Sequence, residues 1–361
     1  MKPDRTILFT GFPGFIGLRL LPRLLELKRE TRIACLVQEK FLPAAKDGVA
    51  AIEKKHRHAT GRIDLVTGDI TSPGLGLQGG AAQHLRNDTA ECYHLAAVYD
   101  LAVKKDVAHR INVAGTRHVL EFLGEAKRFE RLHYVSTAFV SGTARGIYRE
   151  TDLDVGQGFK NHYERTKFEA EVLVAKSGLP RTIYRPGVVV GDSRTGETGK
   201  FDGPYFVLRL MERLPSPGVF MLPGGGKGTT NIVPVDFLVE ALARLSATEA
   251  SLGKTYHLTD PDPCSPVEIA RLFAKTLGKS FLYLPVPMAL AKAAFRPIHG
   301  LVGMPLEALD YFNDPVRHDA TLATRDLTAL GLHCPPLADY VVVLVEFYRA
   351  QRDQVRREAM I

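Results

Sequence analysis

The stretch RTILFTGFPGFIGLRLLPRLLELKRE, residues 5–30, constrains the fold more than any other part of this chain. Its start, RTILF, reads as a short buried strand. A turn with glycines at 11, 14 and 17 follows, and then leucines at 18, 21, 24 and 25 with helical spacing. Strand, glycine turn and helix in this order open a βαβ unit. Gly11 permits the tight turn, Gly14 lets backbone approach a pyrophosphate, and Gly17 lets the helix pack on the strand. The helix N-terminus then offers free N–H groups and a positive dipole end to phosphate. Thr10, Gly11, Phe12, Gly14, Phe15, Ile16 and Gly17 are therefore candidate nucleotide-binding residues.

The alternation continues. Strands are expected at 31–37, 62–66, 91–97 and 131–142, and again in RTIYRPGVVVG at 181–191, with helices over 111–127 and 162–177. Strands alternating with helices of this length predict an α/β fold, a Rossmann-type doubly wound parallel sheet. From about residue 192 the character changes, with glycine- and proline-rich stretches such as SRTGETGKFDGPY and LPSPGVFMLPGGGKG. The expected division is a nucleotide-binding domain over 1–191 and a smaller substrate-binding region over 192–361, partly returning to the sheet.

Composition narrows the function classes. Charged residues make up 24% and hydrophobic residues 45% of the 361 residues, as in an ordinary globular protein. No apolar run reaches the length that crosses a bilayer, since YVVVLV at 340–345 is bounded by Asp339 and Glu346. That leaves peripheral membrane contact open. MKPDRTILFTG has no signal-peptide core. The four cysteines lack metal-ligand or disulfide-framework spacing, so no metal site is expected and a reducing cytoplasm is the expected location. The net charge of +7 is spread along the chain. No basic stretch is interleaved with stacking aromatics, which argues against nucleic acid. His56 and His58 read as solvated, Cys92 as inert packing, and PGGGKG at 223–228 as a turn that lacks the Walker spacing.

The end of the second strand separates NAD from NADP. An acidic residue there binds the ribose 2′-hydroxyl and repels a 2′-phosphate. In CLVQEK that place holds Val37 and Gln38, with Glu39 and Lys40 next and Arg19 and Arg32 expected nearby. Gln38 and Lys40 join the candidates, and NADP(H) is favoured, with NAD(H) as the alternative.

Tyr163 and Lys167, in KNHYERTKF, stand one helical turn apart, a spacing that many solvated helices share. The chain adds GDI at 68–70, HLAA at 94–97, INVAGT around Asn112, VSTAFVSG around Thr137 and YRPGVVVG at 184–191. With the glycine turn and Y-x-x-x-K these resemble, in order, the extended short-chain dehydrogenase/reductase superfamily. The resemblance implies that Asp69 and Ile70 contact adenine, that Ala96 and Ala97 run beneath the cofactor, and that Pro186, Gly187 and Val189 lie by the nicotinamide. His94 is then a cofactor-lining or core residue, and Asn112 a recurrent helix asparagine. The implied catalytic set is Thr137, or its neighbour Ser136, with Tyr163 and Lys167. The phenol protonates the developing oxyanion, the lysine lowers the phenol's pKa or holds the nicotinamide ribose, and the hydroxyl fixes the carbonyl oxygen.

Within the superfamily, TGDITSPGLGLQ, YHLAAVYDLA, HYVSTAFVSG and NHYERTKFEAE are similar to the fatty acyl-CoA reductase and thioester reductase branch, called male-sterility-like. That branch implies NADPH-dependent reduction of an acyl thioester, acyl-CoA or carrier-bound, to aldehyde or alcohol. A homodimer through the helices after the fourth and fifth strands is common in the superfamily. The apolar segment 281–312 is expected either to line an acyl tunnel or to cover the sheet's end. Three other readings use the same nucleotide domain: a ketone, aldehyde or hydroxysteroid-type carbonyl reductase, a sugar-nucleotide epimerase or dehydratase, and a non-catalytic NADP sensor.

Overall fold

In strand β1, Arg5–Thr10, burial rises from an exposed Arg5 to four fully buried residues at Leu8 and its neighbours, because the strand runs into the sheet's centre. The computed structural model describes residues 5–226, 228–297 and 304–358. It places β1 beside β2 (Thr31–Val37), β2 beside β3 (Ile63–Thr67), and β4 (Thr89–His94) on the other side of β1. Then β5 (Arg131–Val135), a short β6 (Gly146–Tyr148) in a side pair, β7 (Arg181–Pro186) and β8 (Val188–Val190) follow in the chain. The main sheet is parallel, with spatial order β3-β2-β1-β4-β5-β7. The order reverses direction between β1 and β4, the switch point where open α/β sheets bind ligands.

One strand of the C-terminal half joins this sheet. After β9 (Gly218–Pro223) and β10 (Ile232–Pro234), strand β11 (Thr255–Leu258) pairs with β7 as the seventh strand. The helix Val235–Ser246 packs against the nucleotide helix Phe15–Leu27, and Arg23 joins Glu240 across them at 2.7 Å. Leu20, Leu21, Leu24 and Leu25 of the nucleotide helix are fully buried in the same core as Phe237, Leu238 and Leu242. The remaining strands form small parallel pairs: β10 with β8, β12 (Phe281–Val286) with β9, and β13 (Val316–His318) with β6.

Several expected elements are broken. RTIYRPGVVVG bends at Gly187, so β8 leaves the main sheet to pair with β10. A Cβ at Gly187 would come within 2.6 Å of the Asn231 carbonyl. The strand expected over 131–142 stops at Val135 and turns into a 3-10 segment, Ala138–Ser141. The helix expected from 111 is a π-helical turn over His109–Ala114 before α-helix begins at Gly115. PGGGKG is a turn with left-handed Gly224, Gly225 and Gly226, while Lys227 lies outside the described residues.

Candidate active site

The glycine turn sits at the carboxyl end of β1. Gly11 has φ +93°, and a Cβ there would strike Leu95 and Ala96 of the neighbouring strand end at 2.9 Å. A Cβ on Gly14 or Gly17 would come within 2.8 Å of the Gly11 carbonyl, so these glycines first of all allow the turn to close on itself. Gly17 also meets the Phe9 ring, the close helix–strand approach expected of it. The helix Phe15–Leu27 starts without a side-chain cap or an acidic first turn. Its leading N–H groups are thus available to an anion, and the site fits a dinucleotide pyrophosphate.

At the far end of the crevice Gln38 hydrogen-bonds Asp69 across the ends of β2 and β3. Burial pushes the Asp69 carboxyl up, but hydrogen bonds from Thr71 and Gln38 and the Lys40 charge hold it below the usual range. Ile70 packs against Gly115, where a Cβ would lie 2.8 Å from its side chain. Arg32 does not reach this end. It belongs to the amino end of β2, where it pairs with Asp64 at 2.6 Å, and Arg19 is engaged by Glu197 at 2.7 Å. Lys40, over the Phe41 ring, stays as the cation beside Gln38.

Asn112 is 1% exposed and its amide is fully committed. It accepts the Val98 N–H at 2.9 Å and donates to Thr166 at 3.1 Å, which clamps the loop after β4 to the helix His162–Lys176. It acts as a tie between elements rather than as an open cofactor contact. Ala96 and Ala97 lie just beyond β4, and Pro186, Gly187 and Val189 lie at the β7–β8 bend.

The helix His162–Lys176 carries Tyr163 and Lys167. Asn161 caps it, its side chain accepting the Glu164 N–H at 3.0 Å. Tyr163, 6% exposed, lies within hydrogen-bond reach of Thr137, the first residue of the turn after β5. Tyr99 packs edge-on against the Tyr163 ring, 5.2 Å between centroids. Ser136 is used differently from Thr137. Its hydroxyl donates to Glu171, whose other oxygen holds the buried Arg185 guanidinium at 2.6 Å. Of the two hydroxyls, Thr137 stands beside Tyr163 and Ser136 belongs to the ion pair behind it.

The Lys167 ammonium bonds the Val135 carbonyl at 2.9 Å and the Tyr134 hydroxyl at 3.1 Å. The i,i+4 spacing puts Tyr163 and Lys167 on one helix face, and the lysine's long stem reaches β5. Burial raises the Tyr163 pKa, opposed by the Thr137 hydrogen bond. Burial lowers Lys167 to about 8, opposed by the Glu171 charge.

A cavity opens beside this cluster. Tyr99, Ala138, Phe139 and Val188 form its wall on the sheet side, and Phe206, Val207, Ile269, Met304, Ala308 and Phe312 close it from the C-terminal half. Its few polar groups include Asn231, His318, Tyr311 and Asp314, the last neutralised by Lys160 at 2.7 Å. The segment 281–312 therefore divides. Met304, Ala308, Tyr311 and Phe312 line the cavity, whereas Leu282, Leu284 and Leu290 are exposed, and 298–303 lie outside the described residues.

Residues 9–242 match the family described as Male sterility protein. The chain belongs to that family. It is a family of NAD(P)H-dependent oxidoreductases built on the extended short-chain dehydrogenase/reductase fold. The chain is 33% identical over 271 residues to the non-canonical nonribosomal peptide synthetase cpsA of Aspergillus campestris, covering 70% of this chain and 25% of that protein. It is 28% identical to the fatty acyl-CoA reductase wat of Drosophila melanogaster, covering 66% of this chain and 53% of that one. The chain thus spans about a quarter and about half of these relatives. The crystal structure of the terminal R domain from the myxalamid PKS-NRPS pathway superposes with a TM-score of 0.80 at 27% identity, covering 96% of this chain and 91% of that one.

No helix among the described residues is long and apolar enough to cross a membrane, and none of their His, Cys, Asp and Glu side chains form a metal-binding group. His58 bonds the Pro22 carbonyl, and Cys92 is fully buried with its thiol pKa pushed up by burial. Two contributors escaped the sequence reading. Glu171 continues the Tyr163–Lys167 face by one more turn, a signal that was present in the spacing. Tyr134 had no motif of its own.

Proposed function

We propose that this chain uses NADPH to reduce an acyl thioester, releasing the aldehyde and the free thiol. The observation that carries this reading is the apolar cavity lined by Tyr99, which packs against the Tyr163 ring, and by Ala138, the neighbour of Thr137. Bound in the crevice, the cofactor would supply hydride to the thioester carbonyl. Thr137 and Tyr163 hold the carbonyl oxygen, and Tyr163 gives it a proton as negative charge develops. The resulting hemithioacetal collapses to aldehyde and expels thiol. Lys167 keeps a positive charge next to this pair. The acyl chain lies against Phe139, Phe206, Met304 and Phe312, where apolar burial favours it.

NADPH over NADH is supported by Gln38 at the end of β2, where an acidic residue would be expected for NADH, and by the Lys40 cation two residues on, a charge suited to a 2′-phosphate. A nucleotide-sugar substrate is disfavoured, because the cavity's described lining presents no arginine or unpaired lysine to a diphosphate.

The test is NADPH and NADH oxidation against a long-chain acyl-CoA, its aldehyde, a bulky ketone and a nucleotide sugar, with thiol release assayed in parallel. Thiol release matched to NADPH consumption supports the reading. Turnover of aldehyde or ketone without any thioester reduction moves the substrate to a simple carbonyl.

A further inference from the structure

The hydroxyl that receives the Lys167 ammonium belongs to a longer buried series. Thr116 lies within hydrogen-bond reach of Tyr134. Thr116 Oγ1 is 3.0 Å from His94 Nε2, and His94 Nδ1 is 2.7 Å from Thr10 Oγ1. Thr10 Oγ1 also accepts the Ala96 N–H at 3.2 Å. Lys167, Tyr134, Thr116, His94 and Thr10 are each at most 3% exposed. The series crosses the carboxyl ends of β5, β4 and β1, three adjacent strands, and finishes at the residue that opens the glycine turn.

Donor counting fixes the first link of the series. An ammonium only donates. Tyr134 Oη therefore accepts from Lys167, and its own proton goes to Thr116. Thr116 passes its hydroxyl proton to His94 Nε2, which leaves Nδ1–H to donate to Thr10. The reverse direction beyond Tyr134 would leave the Tyr134 proton without an acceptor among the described residues, whereas this one leaves that of Thr10, at the glycine turn, without one. His94 has a single N–H to give, since burial, with the Lys167 charge adding, keeps its ring neutral with a pKa of about 3.

We propose that Tyr134, oriented through Thr116 and His94, is a positioning residue that holds Lys167 as a fixed ammonium at the nucleotide crevice. This rests on the reading that Lys167 serves the reaction. The other groups facing Lys167 are Tyr163 and Glu171 on its own helix and the Val135 carbonyl on β5, while Arg185 of β7 is occupied by Glu171. Tyr134 thus supplies one of two direct acceptors to a charge that burial already disfavours. Its ring also lies under that charge, 4.6 Å from Nζ to the centroid. A phenylalanine would keep the packing and the ring but lose the oxygen.

The experiment compares Tyr134→Phe and Thr116→Val with the unaltered chain, following Lys167 itself by NMR in protein carrying 13Cε-lysine, its resonance assigned with Lys167→Arg. Losing one hydrogen bond to a charged group should lower the Lys167 midpoint by roughly one pH unit or more in Tyr134→Phe. A smaller drop is expected in Thr116→Val, which breaks the series one step away. Because less pH is then needed to discharge Lys167, the alkaline limb of kcat should move down by the same amount. An unmoved midpoint in either folded variant overturns the proposal, as does a uniform loss of kcat with an unchanged pH profile. If Lys167→Met retains turnover, the functional reading of Lys167 fails, and the NMR titration still decides whether Tyr134 holds its charge.

Discussion

The two walls of the reaction crevice are made in different ways. The nucleotide wall is assembled from strand ends and their next few residues, at Thr10–Gly17, Gln38–Lys40, Asp69–Ile70 and Leu95–Ala97, each close to its own strand. The cavity wall is gathered from segments far apart in the chain: Tyr99, Phe139, Val188, Phe206, Ile269 and Phe312. The first wall depends on backbone shape, where a glycine is needed or a helix must start uncapped. The second depends on side-chain volume alone. Backbone requirements leave a fixed residue at a fixed spacing, whereas volume can be supplied by any of several apolar residues.

If that contrast is right, substitutions in the two walls should fail differently, with the reactive pair between them failing most. Tyr163→Phe removes only the proton donor. Turnover should fall by about a hundred- to ten-thousand-fold, while NADPH affinity, read from fluorescence titration, stays near that of the unaltered chain. Substantial remaining turnover would take Tyr163 out of the mechanism. Next in size, Gly14→Val should weaken NADPH binding by roughly a hundredfold, or about 3 kcal/mol. The cause is the Gly11 carbonyl 2.7 Å from the new Cβ, which must move and take the turn with it. Undiminished affinity would show that the turn tolerates the change and that its shape is not what binds the nucleotide.

The same contrast explains what could be read in the sequence. The parallel sheet, the glycine turn and the order of the motifs were legible, because βαβ units place period and punctuation in contiguous stretches. The Lys167 contacts were not. Helical spacing placed it near Tyr163 but said nothing of the reach of a long side chain to Tyr134 and Val135. Ser136 and Thr137, adjacent in sequence, could not be told apart until the turn at Ala138 sent one to Glu171 and the other to Tyr163. The segment 281–312 looked like one apolar unit, yet Met304 and Phe312 face the cavity while Leu282 and Leu290 are exposed.

The cavity wall gives the next smaller effect. Phe312→Ala enlarges the pocket without touching the crevice, so kcat/KM for a long-chain thioester should fall about tenfold. A short-chain substrate and NADPH affinity should change little. An equal loss for both chain lengths would mean that Phe312 supports the fold and not the acyl chain.

The smallest effect on turnover is expected at the opposite end of the same strand that carries His94. Glu91 binds Lys28 at 2.6 Å and His133 at 3.0 Å, at the amino end of β4 and away from the crevice. Burial pushes its carboxyl up, but the His133 hydrogen bond and the Lys28 charge outweigh this and hold it down at about 2. A carboxyl with a depressed folded pKa contributes stability above its unfolded value, near 4.5, and loses it as pH falls toward 2. Urea unfolding should therefore show the unaltered chain losing about 2 kcal/mol more than Glu91→Gln between about pH 6 and about pH 3. At neutral pH the variant, though less stable, should turn over at a near-normal rate. A variant that unfolds with the same pH dependence as the unaltered chain would show that this ion pair is not what acid breaks. A loss of turnover in well-folded Glu91→Gln would instead mean that the amino end of β4 reaches His94, and that the crevice is less separable from its supporting strands than its motifs imply.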